Sequence, residues 1–182
     1  MRSVPWIPDL ALGYLNGILD NNMSVFEYGS GGSTIYFGNH AKNIVSIEHS
    51  LEWYQEIKPR IAANAEYRLI EPKKDAIGDD KSNPNHYTSN PLMADFRNYV
   101  SAIDDYDNFD IIFIDGRSRS SCLKHSANKI KSGGWIILDN ADRDYYLSQT
   151  HHLFDEWETV TFFGYGPYID WPWKTIFMRS PL

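Results

Sequence analysis

The chain predicts an α/β fold: a doubly wound, mostly parallel sheet of seven strands with helices on both faces, closed by an antiparallel C-terminal hairpin. Three observations predict it. Apolar runs of strand length alternate with helical patterns along most of the 182 residues. The runs Ile111-Ile112-Phe113-Ile114 and Trp135-Ile136-Ile137-Leu138 are apolar at consecutive positions, as strands covered on both faces must be. The last two runs are joined by Gly164 to Lys174, which carries no helical pattern and suits an antiparallel pair better than a parallel crossover.

Taken in order, Asp9 to Leu19 follows Pro8 and places Leu10, Tyr14, Leu15, Ile18 and Leu19 at helical spacing; Asp20-Asn21-Asn22 then turns the chain. Ser24–Tyr28 is the first strand and Thr34–Asn39 a short helix. Asn43–Glu48 is the second strand. Ser50 caps a helix running to about Asn64, with Tyr54, Ile57 and Ile61 on one face, and Pro59 inside it kinks it or ends it early. Tyr67–Ile70 is the third strand. Residues 71–90 are polar, lack apolar periodicity, and are long for a connection in a compact domain, so they read as a substrate-facing lid or as a mobile loop without a role. Pro91 suits the first turn of a helix whose face is Leu92, Phe96, Tyr99, Val100 and Ile103. Asp110–Asp115 is the fourth strand. Cys122, Leu123, Ala127 and Ile130 mark the next helix, ended by Gly133-Gly134, and Trp135–Leu138 is the fifth strand. Ala141 to about Glu156 reads helical, and Thr159–Phe163 and Thr175–Met178 form the hairpin. Without repeat or linker, residues 1–182 make one domain.

Bulk composition excludes several functions. A net charge of −7 argues against nucleic acid as a partner, and Arg117, Arg119, Lys124, Lys129 and Lys131 are the sole candidate basic patch. No apolar run approaches a membrane span, and the N-terminus lacks the order of a secretory signal. The single cysteine, Cys122, excludes an internal disulfide and a cysteine-based zinc site, shares its helical face with apolar residues, and fits a cytoplasmic setting. A homodimer rests on base rates alone. The adjacent His151-His152 point to different sides of a helix and make a poor metal pair.

The chemistry concentrates at Val25 to Thr34, where a strand ends in an acid, breaks into three glycines and opens a helix. The Gly-Lys-Ser/Thr of a phosphate-cradling loop is missing, and Thr34 stands where a dinucleotide fingerprint needs its third glycine. What remains is an ordinary strand-to-helix turn, or a loop facing a ligand that presents no phosphate. Glu48, closing the second strand, is placed to take both hydroxyls of a ribose. The segments Glu27-Tyr28-Gly29-Ser30-Gly31-Gly32-Ser33-Thr34, Ile114-Asp115-Gly116-Arg117-Ser118-Arg119 and Gly133-Gly134-Trp135-Ile136-Ile137-Leu138-Asp139-Asn140, in this order, resemble the Rossmann-like class I S-adenosylmethionine (SAM)-dependent methyltransferases, and within them a bacterial O-methyltransferase-like branch. The likeness covers nearly the whole chain. It implies that Glu27 and the backbone of Gly29, Ser30, Gly31 and Gly32 hold the methionine end of SAM, that Glu48 binds the ribose, and that Asp115 sits beside the sulfonium. Tyr28 and His49 flank the two acids and are candidates to line the adenosine pocket.

Asp115, Asp139 and Asn140 end the fourth and fifth strands at one sheet edge. They are hard oxygen donors suited to Mg²⁺ or another divalent cation. They also resemble the metal set of cation-dependent catechol-type O-methyltransferases, although Arg117 stands where that set has an acid. Alternatively, Asn140 caps a helix, or the three groups touch the acceptor directly without a metal. Arg117, Arg119 and Arg143 fall on the same edge, where they either recognise an acidic acceptor or pair with Asp115, Asp142 and Asp144 to hold the loops. Tyr165, Tyr168, Trp171 and Trp173 crowd one loop and either stack on a sugar or adenine or pin the hairpin. The resulting expectation is O-methylation of a small-molecule acceptor, such as a carbohydrate or sugar acid. A non-catalytic SAM- or nucleoside-binding module and a nicotinamide-dependent reductase are the alternatives.

Overall fold

The computed structural model describes residues 3–75, 78–89 and 91–182. Seven strands form one sheet: β1 (Ser24–Tyr28), β2 (Asn43–Glu48), β3 (Ala65–Leu69), β4 (Phe109–Ile114), β5 (Ile130–Leu138), β6 (Glu158–Gly164) and β7 (Trp173–Arg179), in spatial order β3-β2-β1-β4-β5-β7-β6. The first five pair in parallel, while β7 runs antiparallel to both β5 and β6. Strand order reverses at β1, so the carboxyl ends of β1, β2 and β4 open a crevice there.

Alternation along the central strands divides the core into two layers. Phe26, Tyr28, Ile112, Ile114, Ile136 and Leu138 face one side, where α4 (Arg97–Val100) and α5 (Arg119–Ser126) cover them through Tyr99, Val100, Cys122 and Leu123. Val25, Ile111, Phe113, Trp135 and Ile137 face the other, under α1 (Asp9–Ile18) and α2 (Gly32–His40), which contribute Ala11, Leu15 and Phe37. Continuous apolar runs and helices on both faces are thus one fact seen twice. α3 (Leu51–Ile57) is capped by Ser50, whose Oγ accepts from Trp53 N at 3.3 Å, and Pro59 ends it early in a 3-10 turn, Lys58–Arg60. No helix among the described residues is long and apolar enough to cross a membrane.

Three expectations need correction. The helix from Pro91 to Ile103 begins only at Arg97, because Lys73 and Asp95 exchange backbone hydrogen bonds (3.0 and 2.9 Å) and Tyr87 O takes Phe96 N–H at 2.8 Å, so the polar loop pulls residues 94–96 straight. Tyr99, Val100 and Ile103 still face the core, but Leu92 is exposed. The helix after β4 stops at Ser126, and Gly133-Gly134 lies inside β5: Phe109 faces Ile130 while Ile111 faces Trp135, so the glycines absorb a bulge. Ala141 to Glu156 forms two 3-10 turns, Asp144–Tyr146 and His151–Phe154, instead of a helix. Its start is tied to β7, with Ala141 N–H on Lys174 O at 2.7 Å and Lys174 N–H on Asp142 Oδ1 at 3.2 Å.

The polar loop 71–90, except Ala76, Ile77 and Asn90, which fall outside the described residues, docks on α5 and on the turns that follow β5. Ser120 Oγ donates to Lys81 O (3.0 Å), Lys124 Nζ to Asn85 Oδ1 (2.6 Å), and Gln149 Nε2 to Asp80 Oδ2 (3.1 Å). At the other edge, the segment before α1 crosses to the aromatic loop between β6 and β7: Ile7 is buried and Asp9 N–H reaches Tyr165 O at 2.9 Å.

Candidate functional site

The loop between β1 and α2 is set by backbone approach. Gly29 has φ +89°, and a Cβ there would lie 2.6 Å from Gly116 Cα, so the loops after β1 and β4 touch backbone to backbone. Gly31, ahead of α2, faces open space, with Trp53 the nearest group at 3.9 Å from an added Cβ. Glu27 does not look into this space. It is fully buried, and its Oε2 accepts from the hydroxyls of Thr34 and Ser46, both at 2.5 Å, while Thr34 Oγ1 accepts Gly31 N–H at 2.9 Å. Burial outweighs these hydrogen bonds and pushes the Glu27 pKa up to about 7. Through Oε2, Glu27 therefore braces the loop from behind, while its buried Oε1 has no hydrogen-bond partner; Tyr28 is core, fully buried with its hydroxyl on Val100 O at 2.7 Å.

Glu48 reaches the crevice, already engaged. Its Oε2 accepts Ser30 N–H (3.0 Å) and Ser30 Oγ–H (2.8 Å); its Oε1 accepts the N–H groups of His49 (2.8 Å) and Ser50 (2.9 Å). His49 Nδ1 also lies 2.8 Å from Oε1. Burial alone would raise its pKa, but His49 and the backbone donors of Ser50 and Ser30 bring it below the ordinary carboxylate value. Ser30 O accepts Trp53 Nε1–H at 2.7 Å, so Trp53 closes this side of the loop.

At the ends of β4 and β5, Arg119 decides the arrangement. Its guanidinium donates to Gly116 O (3.0 Å), to Asp115 O (2.7 Å) and Oδ1 (2.9 Å), and to Asp139 O (2.5 Å). Asp139 Oδ1 is taken by Trp173 Nε1–H (2.9 Å) and Thr175 Oγ–H (2.5 Å). Burial raises the pKa of both aspartates, and Arg119 opposes the rise. Asn140 caps no helix; it sits in the left-handed region at φ 49°. The expected divalent cation does not fit this set. A guanidinium already bridges the two strand ends, Asp139 is committed to β7, and the described residues hold no group of three or more His, Cys, Asp or Glu that could bind one. Of the three arginines, Arg119 is the loop-holding one. Arg117 directs Nε toward His49 Nε2 at 3.5 Å, and Arg143 lies at the rim.

Three adjoining cavities share Asp115 and Trp6. One of about 250 Å³ lies over the glycine loop, between Gly31, Ser33, Trp53 and Tyr168. A second, of about 550 Å³, runs along Gly29, Ser30, Glu48, His49 and Arg117. A third, of about 420 Å³, is walled by Trp171 and Trp173 and shares Asn140 and Arg143 with the second. The sequence brought Asp115, Asp139, Asn140, Arg117, Ser30, Gly31, Gly32, Glu48 and His49 to this edge. It missed Trp6 and Trp53. The signal for Trp6 was Pro5-Trp6-Ile7-Pro8, an extended apolar stretch between prolines that no helix pattern explains. Described residues of the polar loop line none of these cavities.

No family model and no curated protein matches the chain. Solved structures do. An O-methyltransferase from Bacillus cereus in complex with S-adenosylhomocysteine (SAH) has a TM-score of 0.62 at 15% identity, over 87% of this chain and 74% of that one. A methyltransferase-like protein from Silicibacter pomeroyi scores 0.61 at 21% identity, over 100% and 90%. An rRNA methylase from Streptococcus thermophilus scores 0.59 at 12% identity, over 94% and 95%. At such identities the likeness establishes the fold: this chain has the Rossmann-like fold of the class I SAM-dependent methyltransferases.

Proposed function

We propose that this protein is a SAM-dependent methyltransferase that O-methylates a small polar acceptor such as a sugar or sugar acid. The observation that carries the reading is the junction at Asp115, where a cavity over a bare glycine loop, a cavity reaching Glu48 and an adjoining tryptophan-walled cavity meet. Two ligands that must exchange a group need two adjoining compartments with a common wall. The residues present fit SAM: Gly31 and Gly32 leave the backbone bare for the methionine end, Glu48 and His49 line the side suited to the nucleoside, and Asp115 offers carboxyl oxygens between them. Bound there, SAM supplies an electrophilic methyl group. The protein's own part is positioning, since holding an acceptor oxygen in line can supply much of the acceleration. Arg119 fixes the Asp115 backbone and carboxylate together, so the common wall is rigid.

Calorimetric titration with SAM and SAH tests this reading. Binding to the unmodified chain, and its loss in Gly31→Val, whose side chain would fill the open space beside Trp53, is the expected outcome. Equal affinity in both chains rejects it. The alternative of a binding module without catalysis draws on Arg119 standing where a metal would activate an acceptor. A screen of hydroxyl acceptors for SAH release separates the two.

A further inference from the structure

We propose that the tryptophan-walled cavity is the acceptor compartment and that Arg143 makes it selective for an anionic sugar, one bearing a carboxylate or a phosphate. This rests on the cofactor reading above. The cavity, of about 420 Å³, has the size of a small-molecule site and presents two kinds of surface. One is aromatic: Trp6 is 46% exposed and Trp171 63%, so two large indole faces stay in water beside a concave site, an arrangement suited to the apolar face of a sugar ring. The other is polar, formed by Asn140 and Arg143.

Arg143 differs from Arg119 in one decisive respect. Arg119 is buried and its donors are taken by Gly116, Asp115 and Asp139. Arg143 is exposed, and its hydrogen bond is to the Tyr146 hydroxyl, at 3.1 Å. Among the described residues no carboxylate lies within 4.0 Å of it, although Asp142 and Asp144 are its chain neighbours and the protein carries a net charge of −7. Tyr146 takes one N–H of Nη1, with Tyr145 also interacting, and the five donors of the guanidinium leave others for a carboxylate or phosphate. Asp115 lines the same cavity where it meets the cofactor compartments. The positive rim orients an anionic sugar, with its charged group outward on Arg143 and a hydroxyl inward toward the Asp115 carboxyl oxygens. A neutral sugar has no such bias.

The test is calorimetric titration of the full chain saturated with SAH, using D-glucuronate, glucose 1-phosphate and glucose as probes. At least one anion should bind about tenfold or more tightly than glucose, and which one does identifies the anionic group. Arg143→Gln, compared at SAH saturation because Arg143 also borders the Glu48 cavity, should abolish the preference, and Arg143→Lys, which keeps the charge but not the fork, should retain part of it. Equal affinities for all three sugars, or a preference that survives in Arg143→Gln, overturn the proposal while leaving SAH binding intact. Absence of SAH binding to the unmodified chain refutes the cofactor reading, and this proposal with it.

Discussion

Replacing Glu27 by glutamine removes one titration from the interior, and the consequence can be worked out. In the unfolded chain Glu27 ionises near 4.5; in the folded chain burial moves that to about 7, against the hydrogen bonds from Ser33, Ser46 and Thr34. Between those pH values the folded state holds a proton that the unfolded state has released. Folding stability from this group therefore falls as pH rises through that interval and levels off above it. At about 1.4 kcal/mol for each tenfold in proton affinity, the span from 4.5 to about 7 amounts to about 3 kcal/mol. Glutamine does not titrate. Urea unfolding of both chains at steps from about pH 5 to 8 should show Glu27→Gln gaining on the unmodified protein by about 2–3 kcal/mol over that range, because carboxylates that titrate alike cancel in the difference. A difference that stays flat to within about 0.5 kcal/mol would mean that Glu27 is ionised in the fold throughout, and that its orphaned Oε1 finds a partner.

Three further outcomes follow from the same geometry. Gly29→Ala puts a Cβ 2.6 Å from Gly116 Cα at φ +89° and should lower stability by about 2–4 kcal/mol in urea unfolding; an unchanged midpoint would mean that the two loops do not touch. Arg119→Met leaves Asp115 and Asp139 adjacent without their cation and should cost about 3–5 kcal/mol, read as a lower Tm at neutral pH; unchanged melting would remove Arg119 as the pin of this edge. Ser30→Ala keeps the backbone donor to Glu48 but frees one acceptor site on Oε2, and SAH should bind as tightly as before or up to about tenfold tighter; a tenfold loss would show that the serine hydroxyl itself is the ligand contact.

The sheet was legible because burial on both faces leaves an unambiguous mark, and all seven strands were expected with ends within a few residues of those observed, β5 excepted. What the sequence hid were backbone competitions. Residues 91–96 carry a helical pattern, yet Asp95 pairs with Lys73, a partner far along the chain that periodicity does not register. Ala141 to Glu156 lost its helix to hydrogen bonds exchanged with the Lys174 backbone and to the left-handed Asn140. At the site, residue types at strand ends were readable, but their targets were not. Asp115, Asp139 and Asn140 look like cation ligands as a list; only in three dimensions does Arg119, on the first turn of α5, close the gap between the first two.

Both acids of the glycine-loop signature turn out to serve the loop before they serve any ligand. Glu27 orients Thr34, which in turn fixes Gly31; Glu48 collects the donors of Ser30, His49 and Ser50. The crevice is thus shaped by carboxylates acting on backbone and side chains around it. A ribose reaching Glu48 has to compete with the Ser30 hydroxyl or the His49 ring, because the backbone N–H groups cannot leave without unfolding the turn. Exchange of one hydroxyl for another is nearly isoenergetic, since a donor is replaced by a donor at the same oxygen. That is why a Glu48 with both oxygens engaged is compatible with nucleoside binding, whereas Glu27, fully buried, spends Oε2 on Thr34 and Ser46 and keeps Oε1 without a partner.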